Sequence, residues 1–287
     1  MITIIRVVVL ALTAVISTVN AQDFQGVATY KTQRQVDIKI DSAKMDAGMH
    51  AQMVEMMKKQ FQKTFKLTFN KEESVYKQDE ELSKPQVGGG EFQVVMIGAG
   101  GGTDVLYKNT KEQRFSQQVD TYGKIFLVKD NIEKIDWKLG SESKFIGDYQ
   151  CYKATYTKMV PKVREVLRSA DDEKEDIDLD TEPEMEERTV TAWYTPQIPV
   201  NNGPDDYQGL PGLILEIHDG KLTIICSKIV LNPKEKVEIN EPTKGKEVKQ
   251  EKYEEIMEKK AKEMMERYRP RGGDDQNGSS FSISKGG

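Results

Sequence analysis

From Phe24 onward the chain sets short runs of β-branched and aromatic residues between clusters of Asn, Asp, Gly and Lys, and this rhythm constrains its fold more than any other feature. Val27 and Thr29, then Val36, Ile38 and Ile40, alternate with polar neighbours at the period of two that a half-buried antiparallel strand requires. The runs Phe65–Asn70, Ser74–Lys77, Asp104–Lys108, Arg114–Val119, Lys124–Lys129, Tyr149–Thr157 and Thr189–Thr195 continue the pattern, with Ile135–Lys138 between them. Leu213–Ile217 and Lys221–Leu231 meet at His218-Asp219-Gly220, and Asp-Gly between apolar strands signals a tight hairpin. Short strands at near-regular spacing predict a mainly β (α+β) protein, a meandering antiparallel sheet that closes as an open or half barrel.

Two segments change period. Over residues 42–61, Met45, Met49, Met53, Met56 and Met57 fall at helical spacing behind Ser42, a suitable N-cap, and Lys58, Lys59 and Lys63 sit where the helix dipole favours cations. A Met-rich face packs against a core or adapts to a variable apolar ligand or lipid, so Met49 and Met53 are candidate ligand contacts. Residues 244–268 form a charged helix whose thin apolar stripe, Val248, Tyr253, Ile256, Met257, Met264 and Met265, favours projection toward a partner over burial.

The first 21 residues read as a Sec-type signal peptide, with Arg6 before the apolar segment Val7–Val19 and Val19-Asn20-Ala21 as the cleavage site before Gln22. That segment is shorter than the roughly 20 residues a spanning helix needs, and nothing later is long and apolar enough to cross a bilayer. The organisation expected is therefore a signal peptide over 1–21, an antiparallel β domain over 22–243 carrying the 42–61 helix, the charged helix over 244–268, and a Gly- and Ser-rich tail over 269–287. A glycine-rich segment at 88–102 and an acidic segment at 171–187 read as mobile inserts. The net charge of −5 mixes both signs, and no basic face with interleaved aromatics supports nucleic-acid binding.

Motifs with catalytic chemistry fail on context. Gly98 to Thr103 lacks the last glycine of a dinucleotide-binding turn, and a strand-like run follows where a helix N-terminus must hold the pyrophosphate. The acidic run from Asp171 has Asp176 where a calcium loop needs its turn-making glycine, although Glu182 fills the twelfth place. Only His50 and His218 could serve as a general base, and no C-x-x-C or H-E-x-x-H spacing marks a metal site. No cofactor is expected. Cys151 and Cys226 both lie in strand-like segments, and two readings stay open: a disulfide suited to an oxidising compartment, or two small buried hydrophobes.

The stretch Thr191–Ile217 is the most distinctive in the chain. It runs through Ala192-Trp193-Tyr194-Thr195, Ile198-Pro199 and Gly203-Pro204 to Gly209-Leu210-Pro211-Gly212-Leu213-Ile214, whose Leu-Pro-Gly order predicts a type II turn. Upstream, Trp137, Ile146, Gly147, Tyr149, Cys151, Lys153 and Ala154 form a second signature, departing from the family pattern by the extra residue Asp148. Together these resemble the GLPGLI proteins, an exported family of Bacteroidetes-type bacteria. The resemblance implies a cell-envelope protein associated by genomic neighbourhood with TonB-dependent outer-membrane systems, and a fold like the half-barrel carriers of outer-membrane lipoproteins. It brings no catalytic residues.

Functionally these features point to a noncatalytic envelope protein, in the periplasm or associated with the outer membrane, that binds an apolar small molecule or lipid or an envelope protein partner. Trp193, Tyr194 and Tyr207 are its candidate rim, since aromatics on a loop over a rigid sheet suit recognition. The alternatives are a hydrolase or peptidase using Cys151 or Cys226 with His218, and a structural component of an outer-membrane-associated complex.

Overall fold

The computed structural model describes residues 24–35, 62–79, 104–161 and 184–267, without side chains for 264–267. The expected signal peptide, the Met-rich helix with Met49 and Met53, the glycine-rich segment, most of the acidic segment and the tail lie outside the described residues.

Most of the alternating runs become strands: β1 (Gly26–Arg34), β2 (Gln62–Phe69), β3 (Glu73–Gln78), β4 (Val105–Asn109), β5 (Arg114–Thr121), β6 (Lys124–Asn131), β7 (Lys138–Ile146), β8 (Tyr149–Pro161), β9 (Met185–Thr195), β10 (Leu213–Asp219), β11 (Leu222–Leu231) and β12 (Lys246–Val248); Val36, Ile38 and Ile40 lie outside the described residues, and of Ile135–Lys138 only Lys138 joins a strand. They join in one sheet ordered β12-β6-β5-β4-β3-β2-β1-β11-β10-β9-β8-β7. Every pairing is antiparallel except β12 with β6. The architecture is mainly β as expected, but as a single open sheet that does not close into a barrel. β1, the first strand, sits mid-sheet between β2 and β11, so the C-terminal hairpin zips onto it and carries β9, β8 and β7 outward.

Period-two alternation gives the sheet two unlike faces. On the inner face, Val128, Gln117, Leu106, Tyr76, Leu67, Ala28 and Ile229 form one cross-strand row. Ile224, Ile217, Ala192, Ala154 and Leu139 form another. Most of these side chains are buried, and Tyr76 stacks on Phe65 at 4.9 Å while meeting Tyr30 edge-on at 6.3 Å. Each fully buried Leu or Ile contributes about 1.5–3 kcal/mol, so this face is the main source of stability.

The expected charged helix is α1 (Gln250–Arg267), starting later than predicted because β12 occupies Lys246–Val248. Its first turn docks on the sheet edge, where Tyr253 meets Phe126 edge-on at 5.7 Å and shares a 2.8 Å hydrogen bond with Thr121. Farther along, Ile256 and Met257 are half-buried and the opposite side is charged, the thin stripe that the sequence shows. Arg114 and Ser116 both bind Glu241, tying the segment before β12 across β5.

Candidate functional site

The stretch between β9 and β10 turns back across the inner face and packs on it. Ile198, Val200, Tyr207 and Leu210 are buried there with Leu213 and Ile214. Its backbone is closed by Ile214 N to Asn202 O (3.1 Å) and Leu213 N to Ile198 O (3.0 Å). The Leu-Pro-Gly turn is tighter than predicted: Gly212 N donates to Leu210 O at 2.8 Å, a three-residue turn and not the four-residue type II form. Gly212 is required by close approach, since a Cβ there would stand 2.2 Å from Thr195 O. Trp137 Nε1 donates to Gln208 O (2.8 Å), and Gln208 Nε2 to Glu133 O (3.0 Å), pinning the loop to the strand-free run before β7.

Two buried charges organise the inner side. Lys108, on β4, is wholly buried, and its Nζ donates to the carbonyls of Gly203 (3.0 Å), Asp205 (2.6 Å) and Tyr207 (3.4 Å). Burial pushes its pKa down to about 8, against the pull of the Asp206 and Asp205 carboxylates. Asp205 has φ of 52°, and burial together with Asp206 raises its carboxyl pKa. Asp219, at the end of β10, accepts from Lys158 Nζ (2.6 Å) and Tyr207 OH (2.8 Å) on Oδ2. Its Oδ1 has no hydrogen-bond partner among the described residues and lies 3.7 Å from Arg188 Nη1. Burial alone would raise the Asp219 pKa, but the Lys158 and Tyr207 hydrogen bonds outweigh it and hold the group below the ordinary carboxylate range. Tyr156 packs edge-on against Trp137 at 4.7 Å beside this pair.

The outer face is different in kind. Lys153, Trp193, Glu216, Ile225 and Lys31 form one row across β8, β9, β10, β11 and β1. Lys144 sits with its Nζ 4.4 Å from the Trp193 ring centroid and 2.7 Å from Glu216 Oε1, a cation–π contact closed by an ion pair. His218 Nε2 meets the same carboxylate oxygen at 2.5 Å, and its Nδ1 faces Thr223 Oγ1 at 3.3 Å. His218 and Thr223 are directly opposed in the β10–β11 hairpin, so a cross-strand polar pair accounts for their contact.

The sequence-predicted rim is split by this geometry. Trp193 is on the outer face and half-buried, whereas Tyr194 and Tyr207 are buried on the inner side, Tyr194 against Tyr152 and Tyr207 through Asp219. Alternation puts Trp193 and Tyr194 on opposite faces, and Tyr207 points inward because its hydroxyl has a carboxylate to bind there. Cys151 and Cys226 are both buried free thiols, with β9 and β10 between their strands. Register puts Cys151 in line with Lys153 and Cys226 opposite Tyr30, on opposite sides of the sheet, and both are free thiols in this structure. His218 is engaged by Glu216 and Thr223 and by neither thiol. Burial pushes the Cys151 thiol to about 11 and Cys226 to about 12, away from the thiolate that nucleophilic or metal chemistry needs. Among the described residues no cluster of His, Cys, Asp and Glu could hold a metal ion, and no helix is long and apolar enough to cross a membrane.

A family model described as "Protein of unknown function (Porph_ging)" matches residues 137–216. The match begins at Trp137 and ends at Glu216, taking in β7, β8, β9, the inward loop and the start of β10. No curated protein matches the chain. Among solved structures it is similar to two crystal forms of PNGF-II, "Structure of PNGF-II in P21 space group" and "Structure of PNGF-II in C2 space group". The first shares 15% identity over 81% of this chain and 33% of that one, with a TM-score of 0.44. The second shares 14% over 82% and 32%, with a TM-score of 0.45. The chain thus spans about a third of the length of the solved structures it matches.

Proposed function

We propose that this chain is a noncatalytic interaction module exported to the cell envelope, of the GLPGLI type, whose docking face is the outer side of β8–β11 around Trp193. The observation that carries this reading is the packing of the inward loop. Tyr207, Leu210 and Ile214 are buried against the inner face among the described residues, which favours a protein partner on the outer face over an apolar ligand on the inner one. On the outer side Trp193 stays half-exposed with Lys144 over its ring, and Ile225 in the same row is exposed. A Trp flanked by a paired cation is the kind of anchor on which interface energy concentrates. The inert thiols and the fully engaged His218 support a noncatalytic role, and the leader-like residues 1–21 support export.

The test is native mass spectrometry of the protein purified from its own envelope fraction, beside Trp193→Ala. A stoichiometric protein partner lost in the variant is the expected result. A copurifying lipid that survives Trp193→Ala would refute the outer-face reading. The hydrolase alternative requires a hydrolytic activity that is lost in His218→Ala, Cys151→Ser or Cys226→Ser, and function preserved in all three variants would sink it.

A further inference from the structure

We infer that β7 is a self-pairing edge, through which two copies of this chain join β7 to β7 in antiparallel register about a twofold axis at Glu142. β7 ends the sheet, pairing with β8 on one side and with no described strand on the other. Two of its three large apolar side chains, Leu139 and Phe145, are 61% and 72% exposed, more than any other large hydrophobic residue described, while Ile146 is half-buried. They share a face, Leu139 standing opposite Ala154 and Phe145 opposite Gln150. Each lies three residues from Glu142, so pairing centred there sets Leu139 against the partner's Phe145, twice.

The charges on this edge suit such a seam. Edge lysines normally block strand addition, but Lys144 is drawn onto the outer face by Glu216 and Trp193. Glu142 is held by Lys153 at 2.8 Å, so the two Glu142 carboxylates meeting at the axis each bring an ammonium, and the four charges alternate in sign. The register shift between Leu139 and Ser143 places Gly140, Ser141 and Glu142 opposite Lys153 alone, a bulge at the middle of β7. Gly140 suits the close approach there, since a Cβ would stand 3.2 Å from Lys153 O.

The full mature chain tests this by sedimentation equilibrium and by cysteine cross-linking. At a twofold axis the two Glu142 Cα atoms stand about 4.5–5.5 Å apart, within reach of a disulfide. Glu142→Cys should therefore give a covalent dimer on mild oxidation, while Lys138→Cys, far from its own copy in this register, should not. The buried native thiols stay silent. Phe145→Asp should weaken dimerisation at least about tenfold, and Ile225→Ala, on the outer row but away from β7, should leave it unchanged, which separates this seam from the outer docking face. A monomer at all concentrations up to about 100 μM, where a seam smaller than a standard interface still associates, overturns the proposal. So does equal cross-linking of both cysteine variants, or a dimer indifferent to Phe145→Asp.

Discussion

Lys108→Met removes one ammonium and keeps the side chain's length, and it tests whether the inward loop is held by a buried cation. The wild-type Nζ serves the carbonyls of Gly203, Asp205 and Tyr207, all on a loop about a hundred residues away in sequence. Leaving three buried acceptors without a donor costs about 1–3 kcal/mol each, or about 3–9 in all. Part of this is offset, because the charged Lys108 is itself penalised. Its pKa falls from 10.5 to about 8, which at about 1.4 kcal/mol per unit returns about 3 kcal/mol when the charge is removed. The net loss expected at pH 7 is about 3 kcal/mol, and with about 2–4 °C per kcal/mol for a chain of this size the midpoint should fall by about 6–12 °C. Urea unfolding followed by tryptophan fluorescence is the assay, since Trp137 donates to Gln208 O within the loop. A pH series adds a second signature. The folded state favours neutral Lys108 between pH 8 and 10.5, so unfolding there takes up a proton and stability climbs with pH across the window. Lys108→Met should lack that climb. A loss under about 1 kcal/mol with the climb retained would show that the three contacts do not hold the loop.

Gly212→Val should prevent folding, because its Cβ would meet Thr195 O at 2.2 Å and backbone cannot move aside as a side chain can. Circular dichroism of the purified variant checks this, and a native spectrum would refute the close-approach argument. Cys151 and Cys226 should resist alkylation at pH 7 in the native state and both react once unfolded, because burial shields them and raises both thiols. Mass spectrometry before and after denaturant counts the labels, and rapid native labelling of either thiol would reopen a catalytic role for it.

The sheet was largely legible in the sequence, since period-two alternation and Asp219-Gly220 mark strands and hairpin by local chemistry alone. β7 was not. Lys138, Gly140, Ser141, Glu142, Ser143 and Lys144 have little β preference, and pairing with β8 makes them a strand. Lys108 was equally hidden: it ends a strand-like run and looks solvent-facing until the loop supplies its three acceptors. Tyr194 and Tyr207 read as a rim because aromatics on loops suit recognition, but burial depends on where the loop returns, which no local pattern encodes. The charged helix was legible in type while its start was not, because β12 forms only by pairing with β6.

The family-matching stretch 137–216 is a sequence unit, and the contacts argue that it is not a folding unit. Its loop is anchored from outside: Lys108 serves three of its carbonyls, Tyr30 OH donates to Ile214 O at 2.7 Å, and Tyr207 binds Asp219, beyond the last matched residue. β10 is cut after Glu216 and loses β11, so Ile217 is gone and Glu216 no longer meets Ile225 across the hairpin. At about 1 kcal/mol for each of these five hydrogen bonds, and about 1.5–3 for each core side chain laid bare, the deficit is comparable to the 5–15 kcal/mol that a whole domain has to lose. Residues 137–216 expressed alone should therefore show no cooperative urea transition by the fluorescence of Trp137 and Trp193. A sigmoidal transition from that fragment would mean that β7–β10 carries its own core, and that Lys108 and Tyr30 decorate a fold they do not hold together.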